Sequence, residues 1–405
     1  MAIHHAPHGL NTSVPIAVKR DFQYYQGRIK KRLSLWQAVA LIVSSTIGAG
    51  IIGLPYAIAK VGPLLGVLYI LGFGLLMMYM NLLIGEIAIK TNQDLQLVGL
   101  VKKYLGSWGK YLMMGIMYLT IFGVLTIYII GAGNGLAALL PGTSFMWSLI
   151  FFGGGSIVVF TGMDTLKSVE LFLMATIFIV VILLSLASVP ALHAPHFTYI
   201  NFAQMLVPYG VVLFSFHSST SIPEAHVLVK NKNSDFKKAI IYSSIISIVI
   251  YSIFSLVVIG VTGVNTTQVA TIGLGNALGK TVHVLGNIFA LLAMGTSFLI
   301  GAISLRDSIH WDFSIKLKWA SLITCIVPLI IFIAGLREFV KAIDIVGGVL
   351  VSMELLLMIA VYWKAQHVGQ RTHPTEVLAK HAHALLAILL VAFAIGMTYS
   401  VIAIF

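Results

Sequence analysis

Stretches of about 20 predominantly apolar residues recur along the chain, split by short polar loops. That is the pattern a hydrocarbon layer about 30 Å thick demands of helices that cross it. The spans fall at residues 35–60, 64–89, 111–140, 145–161, 169–189, 202–229, 239–262, 274–305, 317–334, 339–363 and 384–405. A water-soluble fold could not hide eleven such segments: 59% of the residues are hydrophobic and 9% charged, against about 25% charged in an ordinary soluble domain. No segment between spans exceeds roughly twenty residues, so no separate extramembrane domain is expected. The fold class is an all-α membrane protein of 11 transmembrane helices, and its chemistry must lie in or beside the bilayer.

Charge placement sets the expected orientation. The tail, residues 1–34, carries Lys19, Arg20, Arg28, Lys30, Lys31 and Arg32 without an apolar h-region, so no cleavable signal peptide is expected. With that tail in the cytoplasm, 21 of the 25 Lys and Arg residues face inward, and Lys60, Lys280, Arg337 and Lys341 alone face outward. The C-terminus then lies outside, and the expected location is a cytoplasmic or plasma membrane. Clustering beside spans accounts for the net charge of +12 without a nucleic-acid partner.

Other chemistries find little footing. The single cysteine, Cys325, sits inside an apolar span and allows no intrachain disulfide. His4, His5 and His8 crowd the tail but lack the fixed geometry of a metal site. No phosphate-binding glycine loop with its lysine is present, which argues against an ATP-driven pump. Arg306, Asp307, His310 and Asp312 are the one concentration of polar residues an enzyme could use, and they read as interfacial charges at the end of the eighth span. No enzymatic role and no cofactor are expected.

Two spans break the apolar pattern. The first carries Ser44, Ser45, Thr46, Gly48, Gly50, Gly53 and Pro55 at mid-membrane depth, where a regular helix avoids glycine and proline. The sixth carries Ser215, His217, Ser218, Ser219, Thr220, Ser221, Pro223 and Glu224 at similar depth. The breaks are five spans apart, and because five is odd a repeat of spans one to five in spans six to ten enters from the opposite face. Paired interruptions of this kind mark a transporter's binding site. The expected organisation is a cytoplasmic tail at 1–34, a first five-helix repeat at 35–189, an inverted second repeat at 190–363, and an inner loop with the eleventh helix at 364–405.

Freed backbone groups survive at that depth only where they line a cavity or meet a ligand. Half-helix N-termini suit a carboxylate and freed carbonyls suit a cation, so an amino acid and a coupling ion fit one gap. A small-residue packing face is the competing reading of the three glycines; it leaves the matching break unexplained. His217, Glu224 and Glu354 are ionisable groups at membrane depth, hence proton-relay candidates, and each reads equally well as an interhelical hydrogen bond. Arg337, Glu338, Lys341 and Asp344 read as an outer gate or as loop salt bridges.

Several stretches together resemble the amino acid/auxin permease family and the neighbouring hydroxy/aromatic amino acid permeases, within the amino acid, polyamine and organocation superfamily. They are Thr46 to Gly50 with Gly53 to Pro55, Glu86, Val101 to Gly106, Tyr128 to Gly133, Phe214 to Glu224, and Thr296 to Phe298. The resemblance implies the five-plus-five inverted fold of the bacterial leucine transporter plus one C-terminal helix, and secondary active amino acid transport by alternating access. It places the substrate near Ser45, Thr46, Ala49 and Gly50, opposite Phe214, Ser215, Phe216 and His217, with Tyr128 closing one side. It places sodium at Ser44 and Ile47 with Ala293, Thr296 and Ser297, although hydroxyls in membrane helices also bond their own backbone. Proton-coupled relatives can carry a lysine in the fifth span; residues 172–186 have none, and Lys167 sits at the cytoplasmic mouth. Sodium is therefore the expected coupling ion, with proton coupling, or a sensor or channel on the same fold, as alternatives. The expected partners are a small-molecule amino acid and the lipid bilayer.

Overall fold

The computed structural model describes residues 33–91, 93–161, 170–229, 234–368 and 382–402, with side chains at 170–178 and 382–384 outside the description. The histidines of the tail, Lys167 and the residues 230–233 also lie outside it.

Among the described residues every extended element is helical. In chain order they are α1 (Leu35–Thr46), α2 (Gly50–Val61), α3 (Pro63–Thr91), α4 (Leu97–Leu139), α5 (Ser144–Thr161), α6 (Glu170–Ser188), α7 (Tyr209–Ser215) and α8 (Ser221–Leu228). There follow α9 (Ser234–Thr262), α10 (Ala270–Leu278), α11 (Lys280–Phe313), α12 (Leu317–Ile333), α13 (Phe339–Ile345), a π-helical turn (Val346–Val351), α14 (Ser352–Val368) and α15 (Ala382–Ile402). α1 opens on a reciprocal cap: Ser34 Oγ accepts from the Gln37 amide at 3.4 Å while Gln37 Oε1 accepts from the Ser34 amide at 3.0 Å.

Seven helical segments among the described residues are long and apolar enough to cross a membrane, and α1 with α2, bent by 59° at their break, make an eighth. Eleven were expected. The difference lies in α7 and α8, both short, in α12 with 17 residues, and in α6, described as an apolar stretch only over Ile179–Ala191. Boundaries also move. The sixth span opens with a 3-10 turn at Phe202–Gln204 and is α-helical only from Tyr209. The eighth begins at Lys280, because Gly279 takes φ 98°, a conformation that divides α10 from α11. α4 bends at Gly106, so the short stretch before it is an arm beside the span that begins near Tyr111.

Burial follows an apolar surround. Leu64, Leu68, Leu71 and Leu75 lie along one face of α3 at helical spacing and are all exposed. A chain surrounded by water would turn that stripe inward; a chain surrounded by hydrocarbon need not. This is a multi-pass membrane protein. Inside, α9 packs on α1, α2 and α3, α4 packs on α5, α11 and α14, and α7 seats on the π turn. These contacts bring both broken segments to the centre.

Candidate functional site

Helix α1 stops because its chain turns at Ile47, Gly48 and Ala49 before α2 begins. The Ile47 amide reaches the Val43 carbonyl at 2.8 Å, but among the described residues no backbone N–H reaches the carbonyls of Ser44, Ser45 or Ile47. α2 resumes with the Ile51 and Ile52 amides on the carbonyls of Gly48 and Ala49. The second break runs from Phe216 to Thr220. There the His217 amide turns back to the Phe214 carbonyl at 3.2 Å, and the Ser221 amide restarts a helix on Ser218 at 3.0 Å. Each break thus offers carbonyls on one side and amides on the other.

The two breaks meet. A Cβ on Gly50 would lie 2.8 Å from Ser215 Cα, so the start of α2 presses directly on the end of α7. That brings Thr46, Ala49 and Gly50 beside Ser215 and Phe216, while Ser45, just before Thr46 in sequence, is exposed. Phe214 packs its backbone on the π turn, where a Cβ on Gly347 would lie 2.8 Å from the Phe214 nitrogen. Tyr128 of α4 lies across from the Ser297 side chain of α11. With Ala49 and Ala293 these two residues line a cavity of about 20 Å³. That volume holds one water-sized occupant, so anything larger could enter only when helices part.

Of the residues expected to hold sodium, Ser44 and Thr296 donate their hydroxyl hydrogens to their own helices, to Leu41 O at 2.7 Å and to Leu292 O at 2.9 Å. Those bonds leave the oxygen lone pairs available to a cation. Ser297 and Ala293 line the cavity, and the Ile47 carbonyl is among those without a backbone donor.

Three features escaped the sequence reading. His217 Nε2 and Glu354 Oε1, separately named as proton carriers, lie 3.0 Å apart, with Glu354 only 1% exposed at the start of α14. The hydroxyl of Tyr251, on α9, lies 2.9 Å from the Thr46 carbonyl and 2.7 Å from that of Ser215, touching both breaks. Asn81 of α3 donates to Ser218 Oγ at 3.0 Å and so reaches the second break too. A tyrosine or asparagine inside an apolar span needs a partner, which is the signal available in sequence; which partner is not. Glu224 lies half-buried in the first turn of α8.

The remaining polar groups support helix ends. Arg306 pairs with Asp307 at 2.7 Å and holds the Val159 carbonyl of α5 at 2.7 Å; His310 meets the Ile315 carbonyl at 2.5 Å and Asp312 accepts from Tyr118. At the far end, Arg337 reaches the Phe332 and Ile333 carbonyls and lies over the Phe145 ring. Asp344 instead lies against α7, where a Cβ on Gly210 would collide with its Oδ1, an oxygen without a hydrogen-bond partner among the described residues. Among the described residues no ion pair links Arg337, Glu338, Lys341 and Asp344, so the expected outer salt bridges are replaced by helix-end contacts.

A model of the tryptophan/tyrosine permease family matches residues 31–399. Tyrosine-specific transport system 1 of Haemophilus influenzae is 24% identical over 355 residues, which cover 80% of this chain and 87% of that protein. Glutamine transporter 2 of Aliivibrio fischeri is 24% identical over 369 residues, covering 85% and 91%. Among solved structures, MhsT in complex with L-phenylalanine superposes with a TM-score of 0.64 at 14% identity, covering 91% of this chain and 98% of its own. A mutant manganese transporter from Eremococcus coleocola gives 0.62 at 13% identity, covering 90% and 86%. These two likenesses show a shared fold, the leucine-transporter type that the family resemblance implied.

Proposed function

The chain belongs to the tryptophan/tyrosine permease family, a family of transporters rather than enzymes, and from that membership we propose that it is a secondary active amino acid transporter working by alternating access. The observation that carries this is the meeting of two broken helices at Gly50 and Ser215, with freed carbonyls and amides at the same depth. A zwitterion complements such a gap, carboxylate to helix N-termini and ammonium to carbonyls. In this reading Ser45, Thr46, Ala49 and Gly50 face Phe214, Ser215, Phe216 and His217 across the substrate, and Tyr128 closes over it. Eleven helices cross a cytoplasmic or plasma membrane, ten of them as two inverted halves, with the N-terminus inside. Sodium is the coupling ion, held between α1 and α11 by Ser44, Ile47, Ala293, Thr296 and Ser297.

A second reading is favoured by the His217–Glu354 contact, which places a buried acid–base pair at the second break. Such a pair can take up and release a proton as the gap opens, giving proton symport with Glu224 as a further relay group.

Reconstitution into liposomes separates these readings. Uptake of the twenty amino acids is measured with L-tyrosine as the first probe, because a relative is tyrosine-specific, under an inward sodium gradient or an inward pH gradient. Saturable uptake that follows sodium supports the first reading, and uptake that ignores sodium but follows pH supports the second. Conductance without saturation would identify a channel, and binding without flux a sensor.

A further inference from the structure

We propose that Tyr251 is the positioning residue that joins the two broken helices, its one phenolic proton standing where a bound cation would otherwise be needed. This rests on the transport reading above. α1 and α7 each end in carbonyls without continuing helix, and a helix C-terminus carries roughly half a negative charge. Two such ends drawn together in a buried place repel each other and leave acceptors unpaired, which is costly. Thr46 and Ser215 supply those acceptors, and the Tyr251 hydroxyl lies 2.9 Å from one and 2.7 Å from the other. A phenol has a single hydrogen, so both carbonyls share it.

The hydroxyl is held firmly in that position. Tyr251 is fully buried, its ring meets Phe216 edge-on at 5.0 Å, and α9 packs along α1, α2 and α3. Two consequences follow for the gap. The point between the Thr46 and Ser215 carbonyls is occupied by a protein donor, so a coupling ion binds elsewhere. The two halves of the substrate gap are also kept in register by a bond from a third helix.

Two substitutions separate a donor from a space-filler. Tyr251→Phe keeps the ring and loses the proton; Tyr251→Lys loses the ring and supplies an ammonium on a stem of similar reach. Purified full-length protein is titrated with L-tyrosine, or with whichever of the twenty amino acids binds the wild type most tightly. The expected order of affinity is wild type, then Tyr251→Lys, then Tyr251→Phe, with the phenylalanine variant weaker by about tenfold and its maximal uptake rate changed less than its KM. If the lysine variant does not fold, 4-aminophenylalanine placed at 251 keeps both ring and donor and must take its position in that order. Amide hydrogen exchange over residues 47–50 and 216–220 should also quicken in Tyr251→Phe without substrate present. A Tyr251→Phe protein that binds like wild type, or better than the donor variants, with unchanged exchange overturns the proposal and leaves the transport reading standing. A wild type that binds none of the twenty amino acids overturns the transport reading, and the exchange measurement then still decides whether Tyr251 ties the breaks together.

Discussion

Gly50 has no room for a side chain, because the nearest atoms to a Cβ there belong to the Ser215 backbone and side chain. Backbone cannot swing aside as a side-chain tip can, so Gly50→Ala should cost about 1–3 kcal/mol of stability through overpacking. Gly50→Leu should abolish binding of whichever amino acid the wild type binds and lower the thermal unfolding temperature in detergent together; normal binding by Gly50→Leu would place the substrate elsewhere. The proposed coupling is tested at two other residues. Thr296→Ala removes one oxygen from the α11 side of the proposed sodium site while leaving the helix intact. It should raise the sodium concentration for half-maximal uptake severalfold and leave binding at saturating sodium nearly unchanged. Glu354→Gln keeps the volume beside His217 and removes the titrating group. Under sodium coupling it leaves the sodium response intact; uptake driven by pH and lost in Glu354→Gln would establish proton symport instead.

At the scale of elements, the least regular pieces sit together: two interrupted helices and the π turn against which α7 rests. A π turn inserts a residue into a helix and is frequent at functional positions. Here it lets Gly347 approach the Phe214 backbone so closely that any side chain would push α7 away. Gly347→Ala should therefore depress the rate of amino acid uptake more than its equilibrium binding, measured as separate kcat and KM values for the substrate that the uptake screen identifies; a variant with wild-type kinetics would show that α7 does not depend on this seat. Both breaks were legible in sequence because Gly48, Gly50 and Pro55, and the polar run at Ser218 to Ser221, contradict the apolar pattern around them. The division at Gly279 was not, since hydropathy averages over a glycine and does not sense its φ. Nor was the π turn, because Val346 to Val351 is as apolar as any helix. The Tyr251 bonds and the His217–Glu354 contact span 205, 36 and 137 residues of sequence, and a periodicity within one span carries no information about a partner in another.

At the scale of the molecule, the exposed leucine stripe on α3 and the inward packing of α4 and α9 describe a body whose interior and surround are both apolar. Orientation in such a body comes from charge, and the 21 to 4 partition of Lys and Arg makes a firm prediction. A cysteine introduced at Asn265, which is exposed after α9, should react with an impermeant thiol reagent added to intact cells. One at Asn233, outside the described residues, should be shielded; the reverse pattern would invert every helix. The last helix has its own place in this body. α15 sets Gly396 against the Tyr209 ring of α7, and Ser400 beside Gly348 of the π turn. It is thus packed from the rim onto the segment that the proposed alternating access would have to move. A Cβ on Gly396 would collide with that ring, so Gly396→Ala should push α15 off α7 and lower the thermal unfolding temperature in detergent; unchanged stability would show that the bundle does not lean on this last helix, which no substrate in the proposed gap would touch.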